Sequence, residues 1–254
     1  LMDWNEIPEV NWAGILIGNG ASRAVWDDFR YDSLFTIAQS PKIEHPMTQD
    51  IVALFDGLGT RSFERVLHAL GTTAIVSEAL GLDGQRPRDI YASVQRALIE
   101  AVRSIHPQWN QVPEDVLTAI RDALRDYAWV YSTNYDLLVY WSIMADGQTE
   151  GFKDYFWNTG GLFDPTNTWI EEEGETLILF LHGALHLETD ELGRCRKRMW
   201  EPGANLLESF QNAGPGGWLP LFVTEGSSND KMRAIAHSQY LSFVLQQFVH
   251  HRGP

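Results

Sequence analysis

Four short apolar runs, each halting at a cluster of small and polar residues, constrain this chain more than any other feature. Gly14-Ile15-Leu16-Ile17 stops at Gly18-Asn19-Gly20-Ala21-Ser22, and Tyr127-Ala128-Trp129-Val130-Tyr131 stops at Ser132-Thr133-Asn134-Tyr135-Asp136. Thr176-Leu177-Ile178-Leu179-Phe180-Leu181 ends at His182-Gly183, and the run from Leu219 to Val223 ends at Thr224-Glu225-Gly226-Ser227-Ser228-Asn229. Runs of this length, bounded by glycine and rich in β-branched or aromatic residues, predict strands buried on both faces, as in a parallel sheet. In open parallel sheets ligands bind beyond the carboxyl ends of the strands, so the four clusters are expected to converge on one crevice.

Between the first two runs the spacing is helical. Ile51, Leu54 and Phe55; Phe63, Val66, Leu67 and Leu70; Ile90, Val94, Leu98 and Val102; and Val116, Ile120 and Leu124 each mark one face of a helix. Gly57 to Gly59, Gly81 to Gly84 and Pro107 to Pro113 separate them, which predicts about four helices over residues 48–126. A helix is expected to start near Tyr135, an irregular region to cover about 144–175, and a helical segment to run from Asp230 to about Phe248. The expected fold is α/β: a doubly wound, Rossmann-like parallel sheet with an inserted helical lobe, residues 1–254 forming a single domain.

Composition narrows the function classes. Acidic residues outnumber basic ones 34 to 19, a formal charge of −15 that opposes binding to nucleic acid or anionic membranes. One cysteine, Cys195, allows neither an intrachain disulfide nor a four-cysteine zinc module and fits a reducing cytoplasm. No run of about 18 apolar residues is present, and Leu1 to Glu6 lack the basic-then-apolar order of a secretory signal, so a cytoplasmic protein is expected.

Glycines at 18 and 20 let the backbone approach a diphosphate closely, and the helix expected to follow offers free N–H groups. The same glycines also serve ordinary strand-to-helix turns. Asn134 is placed to orient a sugar hydroxyl or a water, and Asp136 to accept from an amide, although both residue types also cap helices. His182, at a strand end, has the titration range of a general base. His182 and His186 lack a third ligand nearby, and no metal site is expected. Arg194, Arg196, Lys197 and Arg198 form the dense basic cluster of an acidic chain and read as a solvated hairpin tip, while Cys195 lacks a sequence-local base and reads as non-catalytic.

Taken together, the four clusters resemble the SIR2-like family of NAD-consuming domains. Gly18-Asn19-Gly20-Ala21-Ser22 is similar to that family's Gly-Ala-Gly-x-Ser dinucleotide loop, and Ser132-Thr133-Asn134-Tyr135-Asp136 to its Thr-x-Asn-x-Asp motif. Leu181-His182-Gly183 resembles its histidine-glycine strand end, and Gly226-Ser227-Ser228 its later Gly-Ser/Thr-Ser loop. The subgroup most resembled comprises bacterial NAD-depleting effectors of anti-phage defence.

The resemblance implies an NAD glycohydrolase producing nicotinamide and ADP-ribose, with Asn134 and His182 catalytic. NAD, as substrate, would be bound by Gly18, Asn19, Gly20, Ala21, Ser22, Thr133, Asp136, Gly226 and Ser227. It also implies activity held silent until triggered, through a homo-oligomer or a regulatory protein partner. A non-catalytic module sensing NAD or ADP-ribose is the alternative; an NAD-dependent protein deacylase is a distant third, disfavoured because one cysteine cannot build that group's zinc module. Asn19 stands where sirtuins carry alanine. The family commonly continues past the last helix, whereas this sequence ends at Pro254, so the adenine side is expected to be built differently or to lie beyond these residues.

Overall fold

The computed structural model describes residues 12–26, 34–145, 150–158, 160–167, 174–190, 192–198, 218–223 and 228–251. Four strands, β1 (Gly14–Ile17), β2 (Trp129–Ser132), β3 (Phe152–Lys153) and β4 (Thr176–Phe180), form a parallel sheet in the order β1-β2-β4-β3. The register sets Ile17, Ser132 and Phe180 in one row, so the chain leaves three adjacent strands at the same edge. All of β4 is buried, as its unbroken apolar run predicts for a strand covered on both faces.

β1 departs from that expectation. It lies at the edge of the sheet, and Leu16 is 52% exposed. Apolar content reports only what a strand tolerates; its place in the sheet decides whether both faces are covered.

Between β1 and β2 lie α1 (Asn19–Val25), α2 (Leu34–Ile37), α3 (Gln49–Gly57), α4 (Phe63–Ala79), α5 (Gln85–Ile105), a 3-10 turn at Trp109–Gln111 and α6 (Glu114–Leu124). The helices of the 48–126 block fall where the apolar spacing puts them. Ser62 caps α4 by accepting from Arg65 N. Phe55, Phe63, Val94 and Ala101 lie in one core with Leu137 and Tyr140 of the segment after β2, and with Leu185 and Phe222 of a second sheet. The helical block shares its core with the rest of the chain.

The run from Leu219 to Val223 is a second departure. It forms β7 (Leu219–Phe222), which pairs antiparallel with β5 (Gly183–Thr189), and β5 in turn pairs antiparallel with β6 (Cys195–Lys197). The resulting sheet, in the order β6-β5-β7, is separate from the parallel one. Sequence reading placed four strands in one parallel sheet because an apolar run carries no direction.

After β2 comes α7 (Leu138–Met144), and the chain ends in α8 (Ser228–His237) and α9 (Gln239–His250). Tyr240 of α9 is fully buried, and its hydroxyl accepts from Phe180 N (2.9 Å), which fastens α9 to β4. The region expected to be irregular contains β3, and Leu162 forms an isolated bridge with Arg196. Among the described residues, no helix is long and apolar enough to cross a membrane.

Candidate functional site

The two sheets meet at His182. Leu181 N still donates to Ser132 O (2.8 Å), extending the parallel sheet by one bond, whereas His182 O accepts from Val223 N (2.7 Å) beside the antiparallel sheet. Gly183 makes the change of direction possible. Its φ is +73°, and a Cβ there would stand 2.0 Å from Leu221 O, so both conformation and contact require glycine.

At the same edge, the turns after β1 and β2 are tied together. Thr133 N donates to Ile17 O (2.9 Å), and the Thr133 hydroxyl donates to the same carbonyl (3.2 Å). Asn134 Nδ2 donates to Gly18 O (3.0 Å) and to Ser22 Oγ (2.7 Å). Ser22 Oγ donates to Asp136 Oδ2 (2.5 Å), and Leu138 N donates to Asp136 Oδ1 (2.9 Å). Ser22, Asn134 and Asp136 are all buried, so each of these bonds also offsets the cost of removing a polar group from water. Engaging both amide protons fixes the Asn134 rotamer and leaves Oδ1 as the atom to accept from a water or sugar hydroxyl.

The structure thus brings Gly18, Ser22, Thr133, Asn134 and Asp136 into one network, with His182 at the adjoining strand end. Asn19, Gly20 and Ala21 lie in the first turn of α1, and a Cβ at Gly20 would meet nothing within 4 Å, which leaves open space there. Gly226 and Ser227 lie outside the described residues. Asp136 also serves the beginning of α7, the capping role its residue type allows.

Two residues that sequence reading passed over act on this edge. Burial lowers the His182 pKa, the positive charge of Lys231 in α8 lowers it further, and a hydrogen bond to the Thr133 backbone opposes both. His182 is therefore neutral at neutral pH, the state in which it can accept a proton. His106, at the end of α5, is buried; its Nε2 accepts from Leu137 N (2.9 Å) and its Nδ1 donates to Pro107 O (2.9 Å). Burial lowers its pKa and the Asp136 carboxylate opposes the shift, so this neutral ring braces the Asp136-Leu137 turn. Neither residue has a local signal for this edge: Lys231 lies 49 positions from His182, and His106 lies 30 and 31 positions from Asp136 and Leu137.

The remaining polar candidates turn elsewhere. His186 stacks on Tyr140 of α7 (centroids 4.3 Å apart) and meets Phe180 edge-on, lining a cavity with Lys197 and Asp154. The basic cluster follows a hairpin turn as expected, but its charges are paired. Arg194 bonds Asp190 in the turn, Lys197 bonds Asp154, and Arg196 and Arg198 flank the buried Glu188 at 2.6 and 2.9 Å. Burial raises the Cys195 thiol pKa, which keeps it protonated and unreactive.

Residues 15–254 match the family model described as Domain of unknown function (DUF4917). The chain belongs to the DUF4917 family. No curated protein matches it. Membership in DUF4917 brings no activity with it, so function rests on the chemistry of the strand-end network.

Proposed function

We propose that this DUF4917 protein is an NAD glycohydrolase of SIR2-like type, on a doubly wound, Rossmann-like fold in which the helices between β1 and β2 form an insertion. The observation that carries the reading is the Asn134–Ser22–Asp136 network beside a neutral His182, at the ends of three adjacent parallel strands. The diphosphate of NAD would lie along Gly18 to Ser22, with Thr133 nearby and Asp136 supporting the nicotinamide side; Gly226 and Ser227, which the family resemblance adds to the NAD-binding set, lie outside the described residues. The positive charge of Lys231 suits an anionic substrate.

The chemistry balances within these residues. The C–N bond between ribose and nicotinamide breaks, and its electron pair goes to the pyridinium nitrogen, which leaves neutral. Water adds to the ribose carbon and releases one proton. Asn134 Oδ1 orients that water or a ribose hydroxyl as oxocarbenium character develops, and His182 accepts the proton. The products are nicotinamide and ADP-ribose. Because unrestrained NAD loss is lethal, the enzyme is proposed to act in the cytoplasm as a triggered anti-phage effector, controlled by homo-oligomerisation or a protein partner.

Incubating the purified protein with NAD, and quantifying nicotinamide and ADP-ribose, tests the assignment. Asn134→Ala and His182→Ala are each expected to lower release at least about 100-fold, the usual effect of losing a positioned acid–base group. Undiminished release from both variants, with the fold intact, overturns it. Since Ser22 and Asp136 satisfy each other, the alternative of nucleotide sensing keeps one specific support, and tight NAD binding without turnover under every activating condition would favour it.

A further inference from the structure

We propose a second ligand site, for a small uncharged molecule with an apolar body and a carbonyl or amide group, in the cavity between α4, α5 and the antiparallel sheet. The cavity measures about 320 Å³, within the range of small-molecule sites. Among the described residues, its lining includes none of those assigned to NAD. Leu67, Leu98, Ile99, Val102, Leu185 and Phe222 supply its apolar wall.

Three observations point to an occupant. First, Gln95 lines the cavity with only 6% of its surface exposed, and its Nε2 is buried without a hydrogen-bond partner. An unpaired buried amide costs about 1–3 kcal/mol, which a ligand acceptor would recover. Second, Gly71 lies inside α4, where glycine costs roughly 1 kcal/mol relative to alanine. A Cβ at Gly71 would meet only Tyr91 at 3.9 Å, an ordinary contact, so neighbouring atoms do not demand glycine; its missing side chain widens the cavity. Third, among the described residues the lining holds no Lys or Arg; its polar members besides Gln95 include His68, Thr72, Thr189, His237 and Asp190, whose carboxylate is already paired with Arg194, so no fixed cation favours an anionic ligand.

The wall also touches the strand-end network from behind. Phe222 stacks on Tyr135 (centroids 5.3 Å apart, planes at 29°), and Leu185 N donates to Tyr135 O (2.8 Å). Tyr135 stands between Asn134 and Asp136, so an occupant would press on the residue that joins them.

Calorimetric titration of the full chain with octanamide, with octanoate as the charged counterpart, tests the proposal without NAD. Octanamide is expected to bind once per chain and at least tenfold more tightly than octanoate. Gln95→Leu, which removes the hydrogen bond, is expected to weaken octanamide about tenfold. Gly71→Leu, which fills the space, should weaken it more than tenfold. Thr72→Trp, on the exposed rim, gives a second blocked variant should Gly71→Leu fail to fold; circular dichroism establishes that each variant is folded. Weakening by Gln95→Leu together with either blocking variant supports the site. No octanamide binding by the unmodified chain, octanoate binding as tightly as octanamide, or affinity unchanged by Gln95→Leu or by a folded blocking variant overturns it. Because no arm uses NAD, failure here leaves the glycohydrolase reading standing, and failure of that reading leaves this one standing.

Discussion

The parallel and antiparallel sheets handle polar groups in opposite ways. β1, β2 and β4 are mainly apolar and end at one edge, where Ser22 after β1 and Asn134 and Asp136 after β2 bond one another. β5 instead carries His186 and Glu188 in its interior, each only 2% exposed, and satisfies Glu188 with Arg196 and Arg198. In the first sheet polarity marks where a strand ends. In the second it marks what the strand packs against, which the position of a charge in the sequence does not reveal.

The sharpest way to break this comparison is at the junction. Gly183→Ala would place a methyl on the Leu221 carbonyl in a backbone conformation that alanine resists, an expected loss of more than about 4 kcal/mol. Chemical denaturation should find the variant unfolded or nearly so; a wild-type midpoint would show that the sheets are not joined as described.

Smaller is the effect expected within the antiparallel sheet. Glu188→Ala leaves two guanidinium groups facing a buried void and should cost about 3 kcal/mol, at the low end for a buried pair because both arginines keep some contact with water. Glu188→Gln, which keeps the shape and some hydrogen bonding, should cost less. Equal midpoints for Glu188→Ala and the unmodified protein would place this ion pair among surface charges.

The smallest expected effect is one of pH. Burial lowers the pKa of both His106 and His186, so the unfolded chain binds protons that the folded one refuses. Stability from these groups is complete above the unfolded value of 6.5 and is lost as the pH falls from there through the lowered folded values. Each histidine adds at most about 1.4 kcal/mol per pH unit across that window. Thermal melts of His186→Phe should show a shallower acid loss than the unmodified protein, and identical acid profiles would place His186 in water. Catalysis should follow the same sign: because burial and Lys231 lower the His182 pKa, NAD release should fall on acidification with a midpoint below the 6.5 of an ordinary histidine, and a midpoint at or above 6.5 would remove His182 as the proton acceptor.

Much of the fold was legible before any coordinates. The helices between residues 48 and 124, three of the four parallel strands and the edge they share follow from apolar spacing and from where that spacing stops. The two-residue β3 was too short to leave a pattern. β5 was hidden because Gly183-Ala184-Leu185-His186-Leu187-Glu188-Thr189 mixes polar and apolar residues that are nearly all buried, so no alternation reports a solvent face.

At the candidate site, the sequence by itself determined the order of the polar clusters, the glycine-rich turn, the strand ends at Asn134 and His182, and a net charge that opposes polyanionic partners. Tertiary structure alone decided that Ser22, 112 and 114 positions from Asn134 and Asp136, bonds both; that Leu137 rests on His106; and that β7 joins a different sheet. The physical reason is range. Periodicity and turn chemistry act over a few residues and are written locally, whereas burial, pKa shifts and hydrogen-bond partners depend on groups that meet only when the chain closes on itself.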